Sequence, residues 1–310
     1  MSDHSALAPF PDHDPGALAP VPCRVVASWP VGHFAENLAI TREGAVLVSL
    51  HSHRRIDRYD PATGAVSEWA TLSAPVAGLA LDSSGTLWAA GGELGKPPGL
   101  IWRIDVNGHV ELWTSIADAV FLNGATPHPD GTRLLVAESV TGRILAVDMR
   151  TPGAAAWLAD DRLKPVAAGI PGANGVKFFN GYVHVSVTGS NLLFRAPVGR
   201  DGSCGPLETW CEHLRADDFC FDKDGAAYIA THPANSVMRL GTDGRRATLA
   251  GPDEGAVGST ATAFGRAAGD VGALYVTTNG GLWSPYQGAP QPAKLLRLKV
   301  GAAGAALPPD

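Results

Sequence analysis

Four oxygen-bearing side chains in this chain of 310 residues keep nearly the same distance ahead of a glycine. Glu36, Asn123 and Asp217 stand eight residues before Gly44, Gly131 and Gly225, and Asn174 stands seven before Gly181, where the turn is one residue shorter. Ala77 holds the same place ahead of Gly85. Two carboxylates and two amide oxygens, with no nitrogen or sulfur donor, make the ligand set of a hard divalent cation. Calcium comes first, with magnesium, manganese or zinc as alternatives. The carboxylates would balance the ion's charge and leave its remaining positions to water and substrate. Asn and Asp also favour strand starts for local backbone hydrogen bonds. Four such residues at one register, Glu36 among them, point instead to a shared axis.

Such a register exists only in a chain that repeats. The segments 36–50, 77–90, 123–139, 174–187, 217–231 and 260–278 each pair two apolar stretches across a turn, with glycines at Gly44, Gly85, Gly131, Gly181, Gly225 and Gly272. Their separations of 41, 46, 50, 44 and 47 residues give a period of about 46. A third apolar segment follows in every unit (55–61, 101–106, 143–149, 192–198, 236–242 and 294–300), and most units carry a fourth, such as 65–71 and 109–115. Short turn-separated strands in fours predict an all-β protein, a six-bladed β-propeller of four-stranded antiparallel blades. Neither a Gly-His…Trp-Asp nor a diglycine pattern recurs, which disfavours the seven-bladed types. The sixth unit lacks room for a fourth strand, while 24–30 precedes the first unit without a partner. That N-terminal strand is expected to close the last blade and hide both edges. The propeller is placed at 23–303, with 1–22 a flexible N-terminal tail and 304–310 a C-terminal tail.

Composition agrees with many turns. Gly and Pro (37 and 24 residues) make about a fifth of the chain, against roughly 12% in a typical domain. No Gly-X-Y period occurs, and a hydrophobic share of 45% excludes a disordered chain. No apolar run is long enough for a membrane span. A net charge of −6 and a pI near 5.9 argue against nucleic acid or an anionic membrane. A small-molecule substrate is the expected partner; oligomeric state is left open. The N-terminus lacks the basic flank and apolar run of a secretory signal. Cys23, Cys204, Cys211 and Cys220 show no C-x-x-C spacing. A cytoplasmic protein with free thiols is therefore expected, rather than a Cys204–Cys211 bridge.

In a meander blade the first strand leaves the channel mouth and the second returns to it. The ends of the second strands, with His51, His53, Glu138, Thr188, His232 and Thr278, therefore share the mouth. Glu138 and His232 are the candidates for proton transfer; bonding to a neighbouring blade's backbone is the alternative.

The segments ENLAI, FLNGATPHPDG, GANGVKF and ADDFCFDKDG, followed by LYVTTNGG and LLRLKVG, resemble the SMP-30/gluconolactonase/LRE-like family along nearly the whole chain beyond residue 22. The resemblance implies a six-bladed propeller with one divalent metal in the central channel, held by Glu36, Asn123, Asn174 and Asp217. It also implies lactone hydrolysis, with broader ester and phosphoester reach among related organophosphate hydrolases. Two departures stand out. Asp217 is followed by Asp218 where the family reads Asp-Gly, and a one-residue shift would hand the ligand role to Asp218. Phe121 stands two residues before Asn123, where sugar-lactone members carry an Arg that contacts sugar hydroxyls; a less polar substrate is expected.

The expected activity is metal-dependent opening of a cyclic ester. The metal polarises the carbonyl, Asp217 or Glu36 activates water, and Phe121, Glu138, His232, Asp218 and His51 line the substrate. No Gly-x-Ser-x-Gly elbow is present. One alternative keeps the metal but performs another ester or phosphoester hydrolysis, or a cyclisation or isomerisation, at a mouth built by Phe121, Trp88 and Phe264. The other is a non-catalytic binding propeller.

Overall fold

A computed structural model describes residues 12–306 as a six-bladed β-propeller. Each blade is built on a four-stranded antiparallel sheet, and in blades one to five those four strands run outward in chain order. Blade one comprises Ala35–Ile40, Val46–Leu50, Arg55–Tyr59 and Val66–Thr71. Blades two to five span 76–116, 122–159, 173–211 and 219–250 in the same manner. Blade six takes Ser259–Phe264, Ala273–Thr278 and Ala293–Lys299, and its outer strand is Cys23–Trp29, paired from Cys23 opposite Leu298 to Trp29 opposite Ala293. The expected closure by the N-terminal strand is present. Trp29 Nε1 donates to Asp57 Oδ2 at 2.8 Å, which ties the closing strand to blade one.

The apolar core lies between neighbouring blades, in clusters that draw on both faces of every sheet. This is why the strands alternate so weakly: Ala35–Ile40 and Val76–Leu81 are buried at every position. Among the described residues the helical turns are 3-10 turns of three residues. Three of them, His51–His53, Thr188–Ser190 and His232–Ala234, link second to third strands at the channel mouth. Each ends on a left-handed residue: Arg54, Asn191 or Asn235. No helix among the described residues is long and apolar enough to cross a membrane.

Two expectations need correction, those for the tails, and one turn glycine differs from its siblings. Five of the six predicted turn glycines adopt positive φ, from 67° at Gly131 to 96° at Gly44, but in blade six the left-handed position is Gly269 (φ 85°) and not Gly272. That turn is longer, and it folds around Asp270, whose carboxylate accepts from Tyr275 Oη and Arg297 Nε at 2.6 and 2.7 Å. Residues 12–22 are not a free tail. Ala17–Leu18 adds a parallel fifth strand to blade five, and Asp14 N, Ala19 N and Val21 N donate to His213, Thr248 and Leu249 carbonyls. The segment 301–306 is likewise docked: Gly304 bridges Asp222, and Ala305 N donates to the Phe221 carbonyl. Residues 1–11 and 307–310, also expected as tails, lie outside the described residues.

Every inner strand carries a bulge close to its start. In blade one, Glu36 and Asn37 together oppose Ser49; the same shift falls at Ala77–Gly78, Asn123–Gly124 and Asn174–Gly175. In blade five Asp217 N donates to the Ala230 carbonyl and Ala230 N to the Asp218 carbonyl, so both residues face one. A bulge re-aims side chains at the cost of one ladder position. Its second residue abuts the next blade: a Cβ on Gly78 would lie 2.0 Å from the Asn123 carbonyl oxygen, and one on Gly124 2.7 Å from that of Asn174. Gly78→Ala is expected to cost about 3 kcal/mol in urea unfolding. Gly153→Ala, with open space around it and ordinary φ, should stay within about 0.5 kcal/mol. Equal effects at the two positions would contradict the close approach.

Candidate functional site

The bulges place Glu36, Ala77, Asn123, Asn174, Asp217 and Ser259 at one level of the channel. The four predicted oxygen-bearing residues are all buried there. The ring closes at this level: Ser49 Oγ donates to the Ala77 carbonyl, Ser186 Oγ to that of Asp217, Asp218 N to that of Thr260, and Thr260 Oγ1 to that of Ala35.

Hydrogen bonds settle which way the two amides face. Ser139 Oγ donates to the Ala173 carbonyl at 2.6 Å, so its oxygen must accept from Asn123 Nδ2 at 3.3 Å. Thr188 Oγ1 donates to the Ala216 carbonyl at 2.8 Å and accepts from Asn174 Nδ2 at 2.9 Å. In each amide an N–H is tied to the protein wall, and Oδ1 is the oxygen left unclaimed. Glu36 Oε2 is buried with no hydrogen-bond partner. A buried carboxylate oxygen without a donor is costly. Burial, then the charges of Asp217 and Asp218, push the Glu36 carboxyl well above the usual carboxylate range.

Asp217 is raised too, chiefly by burial, against hydrogen bonds from His232 and Asn174 that favour its charged form. His232 Nδ1 lies 3.1 Å from Asp217 Oδ2, and its Nε2 lies 2.6 Å from Asn279 Nδ2. Asn279 Oδ1 already accepts from Gly281 N and Leu282 N, so Nδ2 is the group that faces the ring. His232 Nε2 therefore accepts and Nδ1–H donates to Asp217, which fixes the neutral tautomer. Asn279 is a functional candidate that sequence reasoning missed, although the Thr-Thr-Asn-Gly-Gly run after the last second strand was in view.

Asp218 faces a different set. Its carboxylate accepts from Lys177 Nζ at 2.6 and 2.8 Å, from Asn37 Nδ2 at 2.9 Å and from Phe219 N at 2.8 Å. Lys177 lies three residues beyond Asn174, at the place where the other inner strands carry Ala39, Ala80, Thr126, Cys220 and Thr262. A strut of Asn37, Asp218 and Lys177 thus joins blades one, five and four beneath Glu36 and Asp217. The lower channel beyond it is a cavity of about 170 Å³ lined by Lys177, Phe264 and Ala305 among others.

The remaining expectations divide. Glu138, expected to transfer protons, is fully buried; Oε1 accepts from Val120 N and Phe121 N, and Oε2 from Thr141 N and the Thr141 hydroxyl. It positions Phe121 and has no free lone pair. His51 Nδ1 is 3.1 Å from the Val76 carbonyl, and burial lowers its pKa. Trp88 is not at the mouth: it is 1% exposed, packs on Trp113, and donates to Asp82 Oδ2. Phe264 lies at the opposite end of the channel, under Gly304. All four cysteines are free. A cleft of about 960 Å³ lies at the outer seam of blades four and five beside His184 and Trp210, and it contains none of the four channel residues.

The channel carboxylates set a pH dependence. A carboxyl whose folded pKa exceeds its unfolded value holds extra protons in the native state, so stability falls as pH rises from about the unfolded value of 4.5 through the raised one. In metal-free protein this carboxyl's contribution to stability should therefore rise on acidification from pH 7 to pH 5, against the opposite contribution of buried histidines such as His51 and His184, whose pKa is lowered by burial. Glu36→Gln should remove that contribution and stabilise the metal-free protein at pH 7 relative to the native chain, read as a higher melting midpoint. A destabilised variant would contradict the frustrated carboxylate.

No protein-family model matches the sequence, and no curated protein matches it. Solved structures match nearly end to end. Regucalcin from Agrobacterium tumefaciens, described as a calcium-binding protein, superposes with a TM-score of 0.73 at 20% identity, covering 94% of this chain and 98% of its own. The luciferin-regenerating enzyme gives 0.71 at 13% identity, covering 93% and 98%. A gluconolactonase from Xanthomonas campestris gives 0.68 at 14% identity, covering 96% and 99%. The chain has the six-bladed propeller fold that regucalcin, gluconolactonase and the luciferin-regenerating enzyme share.

Proposed function

We propose that this protein is a divalent-metal-dependent hydrolase that opens a lactone, with Glu36, Asn123, Asn174 and Asp217 as the metal ligands. The observation that carries the reading is the unpartnered, buried Oε2 of Glu36 opposite Asp217, with two amide oxygens turned away from the wall. Charge supports it. Lys177 answers Asp218, and His232 Nε2 accepts from Asn279 Nδ2, so two carboxylates remain for one divalent ion. Lys177 also favours Asp217 over Asp218 as the fifth-blade ligand. Calcium suits this all-oxygen set. The likeness to a calcium-binding regucalcin and to a gluconolactonase points the same way, and free thiols accord with a cytoplasmic enzyme.

A bound calcium ion would act as a Lewis acid on the ester carbonyl. The protein's part is to hold substrate and water. Asp217 takes the proton of the attacking water on a carboxylate oxygen while His232 Nδ1–H holds the carboxylate in orientation. Water adds to the carbonyl carbon, the ring C–O bond breaks, and the proton passes to the departing alkoxide, leaving a hydroxy acid. The aromatic surface around Phe34 favours a second reading, in which the same centre serves another ester or a rearrangement of an apolar metabolite.

Calorimetric titration should find one calcium site per chain. Asp217→Asn should weaken it, and lactone opening with it, by at least about 100-fold, whereas Asp218→Asn should retain both within about tenfold. The reverse order would move the ligand role to Asp218. Ser139→Ala, which frees the Asn123 amide, should weaken calcium about tenfold. An unchanged affinity would overturn the amide assignment.

A further inference from the structure

The mouth above the candidate centre is aromatic on one side. Phe34 stands two residues before Glu36, the register that Phe121 occupies before Asn123. The other residues at that register are Pro75, Gly172, Arg215 and Val257, so five of the six are apolar or glycine. Trp283 meets Phe34 edge to face at 4.8 Å and lies 5.4 Å from the His232 ring. Since His232 Nδ1 touches Asp217, this pair stands within one ring of a proposed ligand.

Trp283 is 58% exposed, and it is the one aromatic among the exposed large apolar side chains of the described residues. It is nonetheless held in place. Leu282 N donates to Asn279 Oδ1, and Ser284 is tied through its carbonyl to Asn235 Nδ2 and through Oγ to the Pro233 carbonyl. An indole left open to solvent on a fixed platform is a preorganised contact surface.

The polar groups nearby have little left to offer a polyol. The hydroxyls of Ser139, Thr188 and Ser259 donate to backbone carbonyls, and both ring nitrogens of His232 are engaged. A sugar hydroxyl entering here would leave water without a matching partner, a strong basis for rejection.

We infer that this mouth selects a lactone bearing an apolar, ring-sized substituent, with Phe34 and Trp283 as the wall on which it packs. The inference rests on the hydrolase reading, and the test separates the two. With calcium present, kcat/KM is compared for glucono-δ-lactone and δ-phenyl-δ-valerolactone. The phenyl lactone should be favoured by about tenfold or more; Trp283→Ala should erase most of that preference through KM, and Trp283→Phe should restore it. A preference for gluconolactone, or an equal loss for both substrates, overturns the inference.

Independently, 2-phenylcyclohexanone, a ring that cannot be hydrolysed, is titrated calorimetrically into metal-free protein. Binding that weakens at least about fivefold in Trp283→Ala supports the wall. Binding indifferent to Trp283 overturns it, whatever the activity. If the ketone binds through Trp283 while neither lactone is opened, the hydrolase reading fails and the aromatic recognition surface stands.

Discussion

The distance between neighbouring inner strands at the level of their bulges governs the rest of this structure. Backbone meets backbone there so closely that a methyl group on Gly78, Gly124 or Gly175 would enter the next blade. Where the second bulge residue is not glycine, it bonds across the gap, as Thr260 Oγ1 does to the Ala35 carbonyl and Asp218 N to the Thr260 carbonyl. A narrow ring forces the first bulge residues of all blades toward one axis. Convergence of Glu36, Asn123, Asn174 and Asp217 is thus a by-product of how tightly the blades close.

That closeness has an electrostatic cost, and the sequence distributes it unevenly. Three carboxylates, Glu36, Asp217 and Asp218, are buried in one channel. Each would be costly to desolvate alone. Asp218 receives a full ammonium from Lys177 and Asp217 a neutral imidazole, while Glu36 keeps an oxygen without a donor. The lower half of the channel is therefore neutralised and braced, and the upper half keeps a carboxyl oxygen without a donor. An evenly neutralised channel would be a more stable object and a poorer host for a cation.

Much of this was legible in the chain because repetition supplies its own controls. Glycines at the turn positions marked five blades, and oxygen-bearing residues at a fixed distance ahead of them stood out against Ala77. The method faltered where repetition did. Blade six has a longer turn, in which the left-handed residue is Gly269 and Gly272 is a turn glycine of another conformation. Phe34 sits at the register used to single out Phe121 and was readable by the same comparison. Trp283 belongs to the loop between Thr278 and Ala293, longer than the corresponding loop of the other blades, so no sibling could mark it, whereas Asn279 directly follows the last second strand and had siblings there. Glu138 and Trp88 failed for another reason: strand register says which end a residue occupies, but not which donors will claim it.

The closing strand has a consequence for how the molecule comes into being. Cys23–Trp29 is made first and pairs with Ala293–Lys299, made after every other strand of the ring. Until then the growing chain carries an unpaired strand at one end and an open inner layer at the other, the state most prone to sticking to other chains. Glu36 and Asp217 cannot face each other across a channel that does not yet exist. Until Ala293–Lys299 pairs with Cys23–Trp29 the chain is thus an open spiral, and that pairing completes both the seam and the channel that Glu36 and Asp217 share.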